Sequence, residues 1–399
     1  MKVLFLPSAV GRGHVGRVRP IIRALSQAGH ESQAAMLGRR AAALLNDLCD
    51  VELPEQPLPV PPRVGRSPAF VGIRDFGMSL AFHTADSDSS LSILRYLNSA
   101  IDRHKPDVVV VDQVVYGGPA ARSRGIPVVQ LTHGPYFPGQ GQWTGPDDDG
   151  EYPDVLPLVQ EVFDGCGLAA PVSLDHLLVG DAYICPSPEK MGTLKGAVHY
   201  DEPADLPDQV GGVRVERRGK PLVAMALGGS PQVLEDALAG VRAAGAEPVI
   251  LDDRSDEVAD RQRASERRLG RVRLDAVLPQ TDAVVHHGGA GTTVDALRGG
   301  VPAVIVPAQQ ERLLNAEYAA GLGAAEIVPV APGPMTRLEL GRGIVARGHI
   351  QPVDLAARVA AATTRVLDGS FSDGVDAGRA AMRALPGVDA AVATILSLG

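Results

Sequence analysis

Apolar residues in this chain fall into short continuous runs, each followed by a Gly-containing turn and then by apolar positions three and four apart. Residues 2–6 (KVLFL) form such a run, VGRGHVG follows, and RVRPIIRALSQAGHE then places Ile21, Ile22, Leu25 and Ala28 at helical spacing up to Gly29. Strand, Gly-rich loop and helix in that order open a parallel α/β unit. The same order returns at 221–230 (PLVAMALGGS) before the helical run VLEDALAGVRAAGAE, and LLVGDAYICPS (177–187) reads as a strand closing the first half. Two segments echo each other: DVVVVDQVVYGGPAARSRGIPVV (107–129) and DAVVHHGGAGTTVDALRGGVPAV (282–304), with Asp and Pro 20 positions apart in both. Each reads as buried strand, Gly-containing loop, helix, Gly-x-Pro and strand. Strands without alternation belong to a sheet covered on both faces.

The pattern therefore predicts two α/β domains of similar topology. Between them lies HYDEPADLPDQVGGVRVERRGK, rich in Pro, Gly and charge. The boundaries expected are 1–205 for the first domain, 206–218 for a linker and 219–375 for the second. Residues 376–399 are expected to form terminal helices separated at Pro386, and 51–70 a Pro-rich loop. At 399 residues the chain exceeds what one core sustains. In open α/β sheets ligands bind beyond the carboxyl ends of the strands, so a crevice between the domains is the expected site.

Composition narrows the chemistry. Hydrophobic residues make up 45% and charged residues 21%, as in ordinary globular chains. A net charge of −9 speaks against nucleic acid as a main partner. Five lysines against 33 arginines point to a GC-rich bacterial genome. Three cysteines (Cys49, Cys166, Cys185) without a CxxC pair argue against a disulfide framework or a cysteine zinc site. The run MKVLFLPS is too short for a secretory leader, and no stretch of about 18 apolar residues offers a membrane span, so a cytoplasmic protein is expected.

Four clusters carry candidate chemistry. Gly11-Arg12-Gly13-His14-Val15-Gly16 formally matches GxGxxG, but it stands four residues beyond the strand and the next strand, around 32–38, ends without a carboxylate. A nicotinamide site is disfavoured. The loop instead projects His14 toward the crevice, where an imidazole can act as general base or simply cap a helix. Asp112 ends the strand VVVVD, and a carboxylate there requires a partner. An Asp112–His14 pair, with the carboxylate orienting the imidazole, satisfies both. His286-His287-Gly288-Gly289-Ala290-Gly291-Thr292-Thr293 ends a strand and opens a helix with small residues and hydroxyls, which is the make-up of a phosphate site. Adjacent histidines on a strand face opposite ways and suit a metal poorly, so no metal site is expected. The chain has no GxSxG to make this an esterase loop. Gly228-Gly229-Ser230 is a second, weaker phosphate loop, and Pro307–Ala316 (PAQQERLLNA) offers Glu311 and Arg312 at another strand end.

These residues resemble a nucleotide-sugar glycosyltransferase of the GT-B fold, family 1, in the flavour of actinobacterial enzymes that glycosylate antibiotics. HHGGAGTTVDALRGGVP is similar to the family's diphosphate motif nearly residue for residue, with Asp295 where Glu is usual. PAQQERLLNA resembles the donor-sugar motif, with Glu311 for Asp and Arg312 for Gln. The GHxxP loop of the family matches at His14, but Arg17 stands where Pro is usual and Pro20 comes later. RVRLDAVLPQTDAVVHH is about six residues shorter than the family's nucleobase segment, which leaves the base open between dTDP and UDP.

The resemblance implies two Rossmann-like doubly wound parallel-sheet domains facing each other, with C-terminal helices returning to the N-terminal domain. It implies an acceptor-binding first domain, a donor-binding second domain and inverting, metal-independent transfer to a hydroxyl of a small natural product. His14 would be the base with Asp112 behind it. Gly229, Ser230, His287, Gly288, Gly289, Ala290, Gly291, Thr292, Glu311 and Arg312 would bind the donor. Phe82, His133, Tyr136 and Trp143 are candidate acceptor walls. The donor is a cosubstrate and no other cofactor is implied; the protein would be a monomer or homodimer. A nucleotide-sugar epimerase of similar build and a catalytically silent activator or binding homologue are the alternatives.

Overall fold

The computed structural model describes residues 1–9, 12–55, 87–132, 156–191, 196–203, 206–207, 213–227, 231–251, 267–269, 272–307, 310–340, 343–351 and 353–399. Two parallel sheets organise them. The first holds seven strands: β1 (Lys2–Pro7), β2 (Glu31–Ala35), β3 (Asp50–Glu52), β4 (Val108–Asp112), β5 (Val128–Leu131), β6 (Ala182–Cys185) and β7 (Val198–His199), in the order β3-β2-β1-β4-β5-β6-β7. The second holds β8 (Leu222–Ala226), β9 (Glu247–Ile250), β10 (Arg267–Arg268), β11 (Ala283–His286), β12 (Ala303–Ile305) and β13 (Ala325–Ile327), in the order β10-β9-β8-β11-β12-β13. The first six strands of each sheet follow one plan. The echoing segments occupy its matching places: β4 and β5 beside β1, β11 and β12 beside β8. A long antiparallel hairpin, β14 (Ala331–Leu340) with β15 (Gly343–Gln351), follows the second sheet.

Both faces of each sheet are covered, which is why the central strands are apolar without alternation. In the first sheet Val3, Phe5, Val108 and Val110 point to α1 (Arg12–Gln27), which contributes Val15, Val18, Ile21, Ile22 and Leu25. Leu4, Leu6, Val109 and Val111 point the other way, to α2 (Ser87–His104), α3 (Gly117–Arg122) and α4 (Leu156–Asp164). In the second sheet Val223, Met225, Ala283 and Val285 meet α5 (Pro231–Ala243) and, from farther along the chain, Val359, Ala362 and Val366. Its opposite face is covered by α6 (Ala290–Gly299) and α7 (Gln310–Gly321). Each such Val, Leu or Ile buried contributes roughly 1.5–3 kcal/mol.

Three helices close the chain: α8 (Leu355–Val366), α9 (Ser372–Arg383) and α10 (Val388–Leu396). Only α10 crosses to the first sheet, where Ala391, Val392 and Ile395 join the α1 core. Helix α9 stays on the second domain, with Val375 and Met382 beside Leu297 of α6. The expected pair of returning helices is thus one returning helix, because α9 carries its apolar stripe toward α6.

One local expectation changes in a way that matters for the site. GRGHVG reads as a loop, yet Arg12 already begins α1, so His14 lies in the first turn of a helix. Gly13 and Gly16 weaken a helix in isolation. Here Val15, Val18 and Ile22 pack the same turns onto the sheet, and tertiary burial outweighs propensity.

Candidate active site

Helical periodicity places His14 and Arg17, three apart, on one face of α1. That face looks at the carboxyl end of β4, where Asp112 is 1% exposed. Asp112 Oδ1 lies 2.9 Å from His14 Nδ1. Arg17 donates from Nε to Asp112 Oδ2 at 2.9 Å, and its Nη2 lies 2.7 Å from His14 Nδ1. The backbone fixes the ends of both strands, since Ser8 N–H donates to the Asp112 carbonyl at 2.9 Å. The carboxylate that the sequence required to have a partner has His14 and Arg17. The first was expected; the second was visible only as a departure from a proline.

In the second domain β11 ends at His286, and Gly289 caps α6 with no side chain bonded to its first turn. The backbone N–H groups of Ala290, Gly291 and Thr292 therefore stand in the first turn of a helix, where no carbonyl of the helix itself accepts them. Gly291 is exposed, and a Cβ there would meet open space, so a ligand can approach. Gly288 is different. Its φ is +83°, and a Cβ would lie 2.6 Å from the Arg312 carbonyl. Both conformation and packing therefore require glycine. Thr293 Oγ1 donates to the Gly289 carbonyl at 3.0 Å and belongs to the helix.

The two histidines do different work. Buried His286 accepts from Gly288 N–H through Nδ1 at 3.1 Å, so its proton sits on Nε2, which has no partner among the described residues. Burial and the neighbouring His287 push its pKa down to about 3. His287 Nδ1 lies 3.1 Å from the Ala226 carbonyl at the end of β8. A carbonyl only accepts, so Nδ1 carries the proton. Burial first, then the Arg312 charge, lower its pKa to about 4. Its Nε2 lies against Gly289, 2.6 Å from where a Cβ there would stand.

The third strand end brings Glu311 and Arg312 to the same loop. Asn315, 3% exposed, donates to the Gly288 carbonyl at 2.9 Å and to Glu311 Oε1 at 3.1 Å. Asn315 is a positioning residue that reading the sequence matched to a motif without giving it a task. Its four-residue spacing from Glu311 on a helix was the available signal. Asp295, where Glu was expected, is partly buried and pairs with Arg298, which also binds Asp201 of the first domain. Among the described residues no three His, Cys, Asp or Glu side chains cluster as metal ligands. Gly229 and Ser230 lie outside the described residues, as do Phe82, His133, Tyr136 and Trp143.

Comparison with known proteins agrees with this layout. Residues 235–339 match the family described as erythromycin biosynthesis protein CIII-like, C-terminal domain. The chain is similar to L-demethylnoviosyl transferase of Streptomyces niveus, 29% identical over 373 residues, covering 85% of this chain and 88% of that one. In fold it is similar to spinosyn rhamnosyltransferase SpnG, with a TM-score of 0.72, 21% identity and full coverage of both chains. Glycosyltransferase VinC, solved in complex with dTDP, gives a TM-score of 0.69 at 21% identity, covering 100% of this chain and 99% of that one. The paired sheets, the helix-capped glycine loop and these relatives converge: the chain has the GT-B fold, its residues 235–339 match an EryCIII-like C-terminal domain, and over most of its length it is similar to a glycosyltransferase of Streptomyces.

Proposed function

We propose that the protein transfers a sugar from a dTDP- or UDP-linked donor to a hydroxyl of a small natural-product acceptor, such as an antibiotic aglycone, with inversion and without a metal. The observation that carries this reading is the 2.9 Å contact between His14 Nδ1 and the buried Asp112 carboxylate. His14 Nε2 takes the acceptor proton, the acceptor oxygen bonds to the anomeric carbon, and the bond from that carbon to the diphosphate oxygen breaks. One displacement inverts the centre. The α6 N-terminus, through Gly288, Gly289, Ala290, Gly291 and Thr292, meets the departing diphosphate together with His287, Gly229 and Ser230. Glu311 and Arg312 face the sugar. Phe82, His133, Tyr136 and Trp143 wall the acceptor. Residues 219–375 hold the donor and 1–205 the acceptor, with the nucleotide sugar as the one cosubstrate.

The dTDP bound by a structural neighbour supports the nucleotide class. Thermal unfolding with a panel of dTDP- and UDP-sugars tests it: a ligand at 100 times its Kd stabilises by about 2.7 kcal/mol. His14→Ala should keep that stabilisation and lose roughly 10²–10⁴-fold in turnover toward an aliphatic alcohol. Absence of stabilisation by every such nucleotide overturns the donor assignment. Full turnover of His14→Ala overturns the base.

A further inference from the structure

Asp201 follows the last strand of the first sheet, yet it holds a helix of the second domain. The residue before it, Tyr200, is buried in the core around α1, and Tyr200 N–H donates to the Cys185 carbonyl at the end of β6 at 3.0 Å. Asp201 N–H donates in turn to the Pro386 carbonyl at 2.9 Å. With its backbone tied in this way, its carboxylate meets the Arg298 guanidinium of α6. Arg298 Nε donates to Oδ1 and Oδ2, each at 3.1 Å, and Nη2 donates to Oδ1. The remaining nitrogen, Nη1, binds Asp295 one turn back on α6, which aims the fork at Asp201.

The Arg298 and Asp201 side chains are each 18% exposed, and salt screens such a pair far less than one in open water. A planar guanidinium on two carboxylate oxygens fixes direction as well as distance. Its place on α6 gives the contact leverage. Ala290, in the turn with free N–H groups, stands roughly two helical turns, about 12 Å, from Arg298. A helix that short moves as one rod, so holding its last turn also aims its first. On the other side of the junction, Val15 and Val18 flank the turn of α1 that carries His14, and they pack in the core that holds Tyr200. One clasp therefore stands between the candidate base and the candidate diphosphate loop.

We propose that Asp201 is a positioning residue which, with Arg298, sets the spacing and tilt of the donor loop relative to His14, so that the acceptor oxygen reaches the anomeric carbon. The proposal rests on the sugar-transfer reading above, in which donor and acceptor sit on different domains. Asp201 acts through α6 and not on either substrate. Transfer needs both domains in register, whereas binding of the nucleotide needs the second domain alone. Slow attack of water on the bound donor, which releases free sugar and nucleoside diphosphate, needs no such register because water diffuses.

The test uses the full chain with Asp201→Asn, which keeps the shape and removes the charge, and Asp201→Glu, which restores a carboxylate. The donor is the dTDP- or UDP-sugar that most stabilises the wild type, and the acceptors are 4-nitrophenol and an aliphatic alcohol. In Asp201→Asn, kcat for transfer should fall about tenfold, inside the roughly 10²-fold that a misplacement of about 1 Å can cost. TDP affinity and donor hydrolysis should stay as in the wild type, and Asp201→Glu should recover most of the loss. Arg298→Lys, which keeps the charge without the fork, should act as Asp201→Asn does and serves if that variant fails to fold. Spin labels at the exposed positions Val172→Cys and Val353→Cys, with Cys49→Ser and Cys166→Ser, report the spacing of the domains. Its distribution should broaden in Asp201→Asn. Unchanged transfer, an unchanged distance distribution, or TDP affinity and hydrolysis falling in step with transfer overturns the proposal. Failure of the wild type to glycosylate either acceptor overturns the sugar-transfer reading, and the spin-label distances then judge the clasp by themselves.

Discussion

At the scale of single residues, hydrogen-bond direction decides what the candidate site can do. His287 commits Nδ1–H to the Ala226 carbonyl, so its free nitrogen, Nε2, is an acceptor while the ring is neutral. A diphosphate oxygen is also an acceptor, and the two repel unless a proton comes between them. With its pKa lowered to about 4 by burial and then by the Arg312 charge, His287 is neutral at pH 7. A bound dianion raises that value by favouring the imidazolium. Nucleoside diphosphate binding should therefore take up a proton, and affinity should strengthen as pH falls through the bound-state pKa. Titration calorimetry of TDP in buffers of different ionisation enthalpy measures the uptake. In His287→Ala it should drop to what the nucleotide's own phosphate contributes; equal uptake in both proteins would mean that His287 does not face the diphosphate.

Among the elements, three strand ends share one glycine loop, and Asn315 of α7 ties two of them together. It satisfies the carbonyl of Gly288, a residue that neither a side chain nor an ordinary φ could replace, and it holds the Glu311 carboxylate one turn back. Asn315→Ala leaves a buried carbonyl without its donor, at a cost of about 1–3 kcal/mol. Denaturant unfolding should register that loss, and donor affinity should fall further because Glu311 and the loop are no longer held in register. Unchanged stability would mean that another group or a water supplies the Gly288 carbonyl. The loop glycines and the helix start were readable as a pattern. The Asn315 tether was not, because helical spacing brings it to Glu311 but only the packing of α7 beside α6 brings it to Gly288.

For the molecule as a whole, specific side chains and backbone groups among the described residues join the two sheets. Arg298 of α6 bridges to Asp201, and Asp201 N–H donates to the Pro386 carbonyl at 2.9 Å, just before α10 crosses to the first domain. There Ala391, Val392 and Ile395 complete the core around α1, the helix that carries His14 and Arg17. Removing residues 388–399 should lower the unfolding temperature of the first domain and expose an apolar face, since side chains of this kind contribute roughly 1.5–3 kcal/mol each when buried. TDP binding by the second domain should persist. Calorimetric unfolding with and without TDP separates the two, and loss of TDP binding in the shortened chain would refute the assignment of the donor to the second domain.

By itself the sequence determined the α/β class, the repeated strand–loop–helix plan and the glycine loop that ends β11 and opens α6. Apolar runs, glycine turns and helical spacing are local consequences of burial and backbone sterics, written in neighbouring residues. Pairing Asp112 with His14 was also legible, because a carboxylate at the end of an apolar strand must find a partner. Tertiary structure decided the rest. Residues 12–16 became the start of a helix because packing on the sheet outweighs the low propensity of Gly13 and Gly16, and only that turn puts Arg17 beside His14 on the same carboxylate. Helix α9 stayed with α6 while α10 crossed over, since two apolar stripes of similar pattern find their partners only in three dimensions. Which nitrogen of His287 is spoken for depends on a carbonyl 61 residues away, on a strand that parallel pairing sets beside its own.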